Sequence, residues 1–167
     1  QGEARWVVGV AGASPASATS ALPLATSLRD AERARRAGFA TPLDRAADAY
    51  VVRRGANETI VAGYPWFTDW GRDTFIALRG LCLARGRLKE ARRVLLQWSG
   101  AVSHGMLPNR FTDEGETPDF NSVDASLWFI VAVHDLRAAE KAVGYHASTV
   151  EEWQLNAAIL GILHGYT

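Results

Sequence analysis

Apolar residues recur at helical spacing through most of this chain after residue 41. Leu43, Ala46, Ala47, Tyr50 and Val51 fall on one face behind a Thr41 cap and Pro42 at the first helical position. That helix is expected to end near Arg54, before Gly55. Residues 55–70 break the pattern with Gly, Pro and a cluster of aromatics, and read as a structured loop. A second helix is expected from Gly71 or Arg72 to about Ala84. Its stretch TFIALRGLCLA is apolar on nearly every side and should be buried all round. After Gly86, the positions Leu88, Ala91, Val94, Leu95 and Trp98 make a single stripe, while Lys89, Glu90, Arg92 and Arg93 face away. This is a surface helix with one buried face, ending before Gly105. A fourth helix starts at about Ser122 and carries ASLWFIVAV, again apolar all round. A fifth starts near Ser148 or Thr149, where Ser148/Glu151 and Thr149/Glu152 both fit a capping box.

Upstream, WVVGV at Trp6–Val10 is a short strand candidate. The Ala-, Ser-, Thr- and Pro-rich run at 11–27 has linker composition, and LRDAERARR at 28–36 is a charged helix candidate. Residues 1–40 therefore read as the end of a preceding domain, β-rich if WVVGV is representative, plus a linker. Residues 41–167 read as one helical domain, so the fold class is all-α with a short N-terminal strand and linker segment. The order buried, surface, buried suggests a two-layer helical shell. Short turns make neighbouring helices antiparallel, so the second and fourth run parallel with their N-termini at one end. The long loop at 104–121 must sit at that end too. Trp70, Arg72, Asp73, this loop and Asp124 then converge on one rim.

Composition changes this picture little. The chain has 167 residues, 48% hydrophobic and 22% charged, enough for one ordinary globular domain. Lys+Arg and Asp+Glu each number 18, and the zero net charge argues against a nucleic-acid partner. The single cysteine, Cys82, allows no internal disulfide and reads as a small buried hydrophobe. No apolar run reaches the ~20 residues of a membrane span, so no membrane partner is expected. The chain starts at Gln1 and its only methionine is Met106, so an initiator is not where it begins.

The rim offers Asp69, Asp73 and Asp124, the Arg72 guanidinium, an amide from Asn109 or Asn121, and tryptophans. That mixture suits a sugar: ring faces lie on Trp, and charged groups fix hydroxyl directions. Trp66, Trp70 and Trp128 are assigned to the site, and Trp98 and Trp153 to the core. Taken singly, Asp73 is explained by helix capping, Asp124 by the helix dipole and Asp69 by a turn. Asp113, Glu114, Glu116 and Asp119 read as a solvated loop, since EF-hand spacing is missing. His104 and His134 lack metal-ligand spacing, so no metal is expected. No phosphate loop or serine nucleophile elbow occurs, and no cofactor is expected.

Three segments in order resemble a known family. AGYPWFTDWGRDTFIALRGL (62–81), HGMLPNRF (104–111) and NSVDASLWF (121–129) are similar to successive signatures of the amylo-α-1,6-glucosidase domain of glycogen debranching enzymes. LDRAADAYVVRR (43–54) looks like the helix leading into them. The resemblance is specific from Leu43 to Phe129 and looser to Thr167. It implies a partial (α/α) toroid of the six-hairpin, glucoamylase-like type, with the active site at the N-terminal ends of the inner helices. A complete toroid of about twelve helices, each of ~10–14 residues, exceeds this length, so the chain is expected to be part of one. By the resemblance, Trp70, Arg72 and Asp73 hold the non-reducing glucose, Asp124 and Trp128 wall the same subsite, and Asn109 is a weaker match. The implied reaction is inverting hydrolysis of an α-1,6-linked glucose by a cytoplasmic enzyme on glycogen, limit dextrin or another α-glucan. The acid and base are expected outside this chain, which should be inactive alone. Another toroid glycosidase, acting on trehalose or a short α-glucan, or a non-catalytic carbohydrate-binding domain, are the alternatives.

Overall fold

A computed structural model of the chain describes residues 18–55, 57–63, 66–111 and 118–167, with the backbone alone for 18–22. The WVVGV segment and Asp113, Glu114 and Glu116 lie outside the described residues. The chain divides into two compact units, residues 1–45 and 46–167.

In the first unit, helix α1 (Ala18–Ala37) begins inside the run expected to be linker, and Pro23 lies within it. Composition misled here because alanine, common in linkers, is also the strongest helix former. Glu32 pairs with Arg35 at 2.7 Å and Arg36 at 2.5 Å, one turn on. Helix α2 (Pro42–Asp48) opens as expected: the Thr41 hydroxyl accepts from the Asp44 amide at 3.0 Å and donates to its carboxylate at 2.7 Å.

The second unit corrects the expected helix end. Helix α2 stops at Asp48, and strands β1 (Val51–Arg54) and β2 (Asn57–Ile60) form an antiparallel hairpin instead. Val51 opposes Ile60, and Arg53 opposes Glu58 with opposite charge. Gly55, at φ 60°, supplies the turn conformation that other residues resist. The spacing of Tyr50 and Val51 was helical by coincidence, whereas β-branched Val51 and Val52 suit a strand. The described residues are therefore mostly helical, as expected, with one small two-stranded sheet added.

Helix α3 (Gly71–Leu81), a 3-10 turn (Leu83–Arg85), α4 (Leu88–Ser99), α5 (Val123–Ala142) and α6 (Thr149–Gly165) complete the unit. Helix α4 buries Leu88, Ala91, Val94, Leu95 and Trp98, as its stripe requires. Phe75 of α3 meets Trp98 edge-on at 5.2 Å and Phe129 of α5 at 5.4 Å, which knits three helices into one core. Ser148 and Glu151 form the capping box that starts α6.

Two ion pairs fix the direction of α5 against α3. Arg72 meets Asp124, and about two to three turns further Arg79 meets Asp135 at 2.8 Å. Both helices advance the same way between these pairs, so they run parallel.

Three burial expectations fail. Helices α3 and α5 are not buried all round: Ile76, Val123, Leu127 and Val131 remain exposed on flanks that nothing among the described residues covers. Trp153 is 70% exposed on α6, not core. Arg92 does not face solvent with its neighbours; it is buried, bonded to Glu140 at 2.7 and 2.5 Å. Sequence spacing placed Arg92 beside the polar face, but a buried partner on α5 turned it inward. No described helix is long and apolar enough to cross a membrane.

Candidate functional site

The N-terminus of α3 is set by two segments that lock onto it. The first runs from β2 to Trp70. The amide of Phe67 donates to Gly63 at 2.8 Å and that of Ala62 to Thr68 at 3.0 Å, closing a tight turn. Asp69 follows, fully buried, accepting from the Thr59 hydroxyl at 3.0 Å and from Arg54 at 3.2 Å. Its carboxylate thus faces the hairpin and not the rim, where the sequence had placed it. The Arg54 guanidinium also lies over the Phe111 ring at 5.6 Å. One side chain therefore ties the approach to α3 to the loop opposite.

The second segment is that loop. The Gly71 amide donates to Asn109 at 2.7 Å, Trp70 bridges Arg110, and the Asn109 amide donates to Asp119 at 2.8 Å. The buried Leu107 amide donates to the Ser126 hydroxyl on α5 at 2.9 Å. Gly105, at φ 79°, presses so closely on Gly165 that a Cβ there would come within 2.3 Å of the Gly165 Cα. The loop is thereby held between the starts of α3 and α5.

Between these segments opens a cavity of about 500 Å3, lined by Trp70, Arg72, Asp73, Asn109, Asn121, Ser122, Val123, Asp124 and Leu127. Arg72 donates to Asp124 at 3.2 Å, and Ser122 donates to the other Asp124 oxygen at 3.0 Å. Loss of water around Asp124 raises its pKa, but the bonds from Ser122 and Arg72 more than offset this and hold the carboxyl below the usual aspartate range. Asp124 is therefore charged at neutral pH and orients Arg72. Asp73, by contrast, has no side-chain partner among the described residues and opens on the cavity. The Asn109 amide donates to the Asn121 carbonyl oxygen, so both candidate asparagines act as one pair.

Of the residues expected at the site, Trp70, Arg72, Asp73, Asn109 and Asp124 share this cavity. Trp66 is 85% exposed on the preceding turn and Trp128 is half-buried against the core; neither lines it. His104 is exposed with φ 48°. Ser122 was read only as a helix start, although a hydroxyl two residues before Asp124 is the signal for its second role. Phe67 carried no sequence signal beyond its place in an aromatic cluster. No group of His, Cys, Asp and Glu among the described residues could hold a metal.

Comparison with known proteins adds an independent line. Residues 45–157, more than half of the chain, match the family described as Amylo-alpha-1,6-glucosidase. A glycogen debranching enzyme of Saccharomyces cerevisiae (strain ATCC 204508 / S288c) is 40% identical over 82 residues, which is 46% of this chain. The matched stretch spans only 5% of that relative's length. No solved structure matches the chain.

Proposed function

Because this chain belongs to the amylo-α-1,6-glucosidase family, we propose that it forms the glucose-holding wall of a debranching-type α-glucosidase. The observation that carries this reading is the division of labour between two aspartates on one cavity. Asp124 holds Arg72 in place, and Asp73 is left open to accept hydrogen bonds from sugar hydroxyls. A carboxyl acceptor fixed by a helix start, beside a Trp70 ring that is partly exposed, can orient one pyranose.

On this reading the parallel helices α3 and α5 belong to the inner layer of a toroid, and the glucan enters at their N-terminal ends. The substrate is the α-1,6-linked glucose of glycogen, limit dextrin or a similar α-glucan. Hydrolysis with inversion needs a protonated carboxyl at the leaving oxygen and a carboxylate that activates water, ~6.5–9.5 Å apart. Asp124 does not suit the acid role, since its partners keep it ionised. We assign both reacting carboxyls to parts of the enzyme beyond these 167 residues.

In the full-length enzyme, Asp73→Asn is expected to lower kcat/KM by more than ~100-fold, the scale of losing hydrogen bonds to a charged group. Wild-type kinetics for that variant would remove Asp73 from the site. Proton NMR of the first product formed should show β-glucose; α-glucose would contradict inversion.

A further inference from the structure

We propose that Tyr166 is a positioning residue for the cavity. Its hydroxyl holds the first turn of α5, and through that turn it keeps Asp124 on Arg72. The proposal rests on the reading that a glucose occupies the Arg72–Asp73 cavity.

Helix α5 starts without the usual supports. Its N-cap is Ser122, yet the Ser122 side chain makes no capping bond to the first turn; its hydroxyl is donated to Asp124 instead. A first turn without a cap is prone to fray. Apolar cover is thin as well, since Val123 is 60% exposed and Leu127 is exposed on the same flank. This turn must nevertheless hold its place, because it carries the Asp124 carboxylate that reaches across to Arg72.

Tyr166 supplies the missing tie. Its hydroxyl donates to the backbone carbonyl of Val123, 43 positions away in sequence. Val123 stands between Ser122 and Asp124, and all three line the cavity, whereas Tyr166 does not. A carbonyl oxygen has two lone pairs, so accepting from Tyr166 leaves the helical bond to Leu127 free to form. The Tyr166 end is itself anchored. Its amide donates to Leu163 at 3.3 Å, and the preceding Gly165 lies so close to Gly105 that neither has room for a side chain. Elsewhere the loop grips α5 at Asn121 and at Ser126. The Tyr166 bond falls between these two points, at the residue next to Asp124.

The test is Tyr166→Phe, which removes the hydroxyl and keeps the ring. In the 167-residue chain, carbon NMR of the Asp124 carboxyl is expected to show its titration midpoint rising towards the ordinary aspartate range, as Ser122 and Arg72 are held less well. Hydrogen exchange at the Leu127 amide should quicken about twofold to tenfold, the equivalent of one neutral hydrogen bond. In the full-length enzyme the same variant should lower kcat/KM by about twofold to tenfold. An unchanged Asp124 midpoint overturns the proposal, even if thermal stability falls, because a merely structural tie would lower stability alone. Wild-type kcat/KM in Tyr166→Phe, where Asp73→Asn is impaired, overturns it too. Should the variant fail to fold, the wild-type chain decides: absence of a nuclear Overhauser contact between the Tyr166 ring and Val123 overturns the tie. Failure of the glucose reading shows differently, as wild-type kinetics for Asp73→Asn with the Asp124 shift in Tyr166→Phe intact.

Discussion

Arg72 and Asp124 lie 52 positions apart in sequence yet meet at 3.2 Å, and the contact costs Asp73 nothing. Neighbouring side chains on a helix do not face each other, so Arg72 reaches Asp124, itself braced by Ser122, and leaves Asp73 clear. Because the Asp124 carboxyl lies below its ordinary value, the unfolded chain takes up this proton first as pH falls. The Arg72–Asp124 contact is therefore expected intact from neutral pH down to the ordinary aspartate range, and lost below it. Carboxyl-carbon NMR shifts of Asp124 would follow the change. Cys82 makes the opposite case. Burial pushes its thiol up to about 11, so the thiolate needed for alkylation is scarce at neutral pH. Native protein should react with iodoacetamide only on unfolding, and prompt labelling would contradict the burial.

Among elements, α4, α5 and α6 share one charged joint. Arg92 on α4 bonds to Glu140 on α5 and to Glu152 on α6 at 2.7 Å, and Arg137 adds to Glu152 at 2.7 Å. Such a joint is weak evidence of net stability, since desolvation opposes the attraction, but breaking one side strands a buried charge. Arg92→Ala is expected to cost about 3–5 kcal/mol in urea denaturation. The paired change Arg92→Met with Glu140→Leu should cost distinctly less. Burial raises the Glu152 carboxyl, but Arg92 and Arg137 outweigh this and leave it lowered. Its contribution is therefore complete above the ordinary glutamate range and disappears as pH falls through the lower folded value. The loop has an uncharged joint of its own. Gly105→Ala combines a positive φ with a near-contact to Gly165, so it should destabilise by at least ~1–3 kcal/mol. It should also speed hydrogen exchange at Leu107, whose amide reports the loop's hold on α5.

At the scale of the whole molecule, the second unit has a well-formed core and an incompletely covered exterior. Phe75, Trp98, Phe129 and Leu136 are fully buried, while Ile76, Leu127 and Val131 on two of the same helices are not. Helix α6 adds Val150, Trp153 and Leu160, spaced three and seven residues apart on one exposed face. Apolar faces of this kind bind hydrophobic dyes and favour association. Dilute protein is expected to enhance anilinonaphthalene sulfonate fluorescence without loss of helical circular dichroism. A dye-silent monomer at high concentration would mean that these faces are covered.

The chain's own pattern was enough to locate α3, α4, α5 and α6 and the capping box at Ser148, because periodicity and caps act over a few residues. It also brought Trp70, Arg72, Asp73 and Asp124 towards one rim, since helix order and short turns dictate which ends coincide. Other features were beyond local reading. Val51–Ile60 became a hairpin because pairing across Gly55 outweighed a weak helical spacing. Arg92 turned inward, and Asp69 turned away from the rim, because partners 48 and 15 residues away offered charged hydrogen bonds. Spacing specifies which face a side chain starts from. Only the packed neighbours decide whether a charge on that face finds water or a partner, and that choice separates the Asp69 that builds the scaffold from the Asp73 that opens on the cavity.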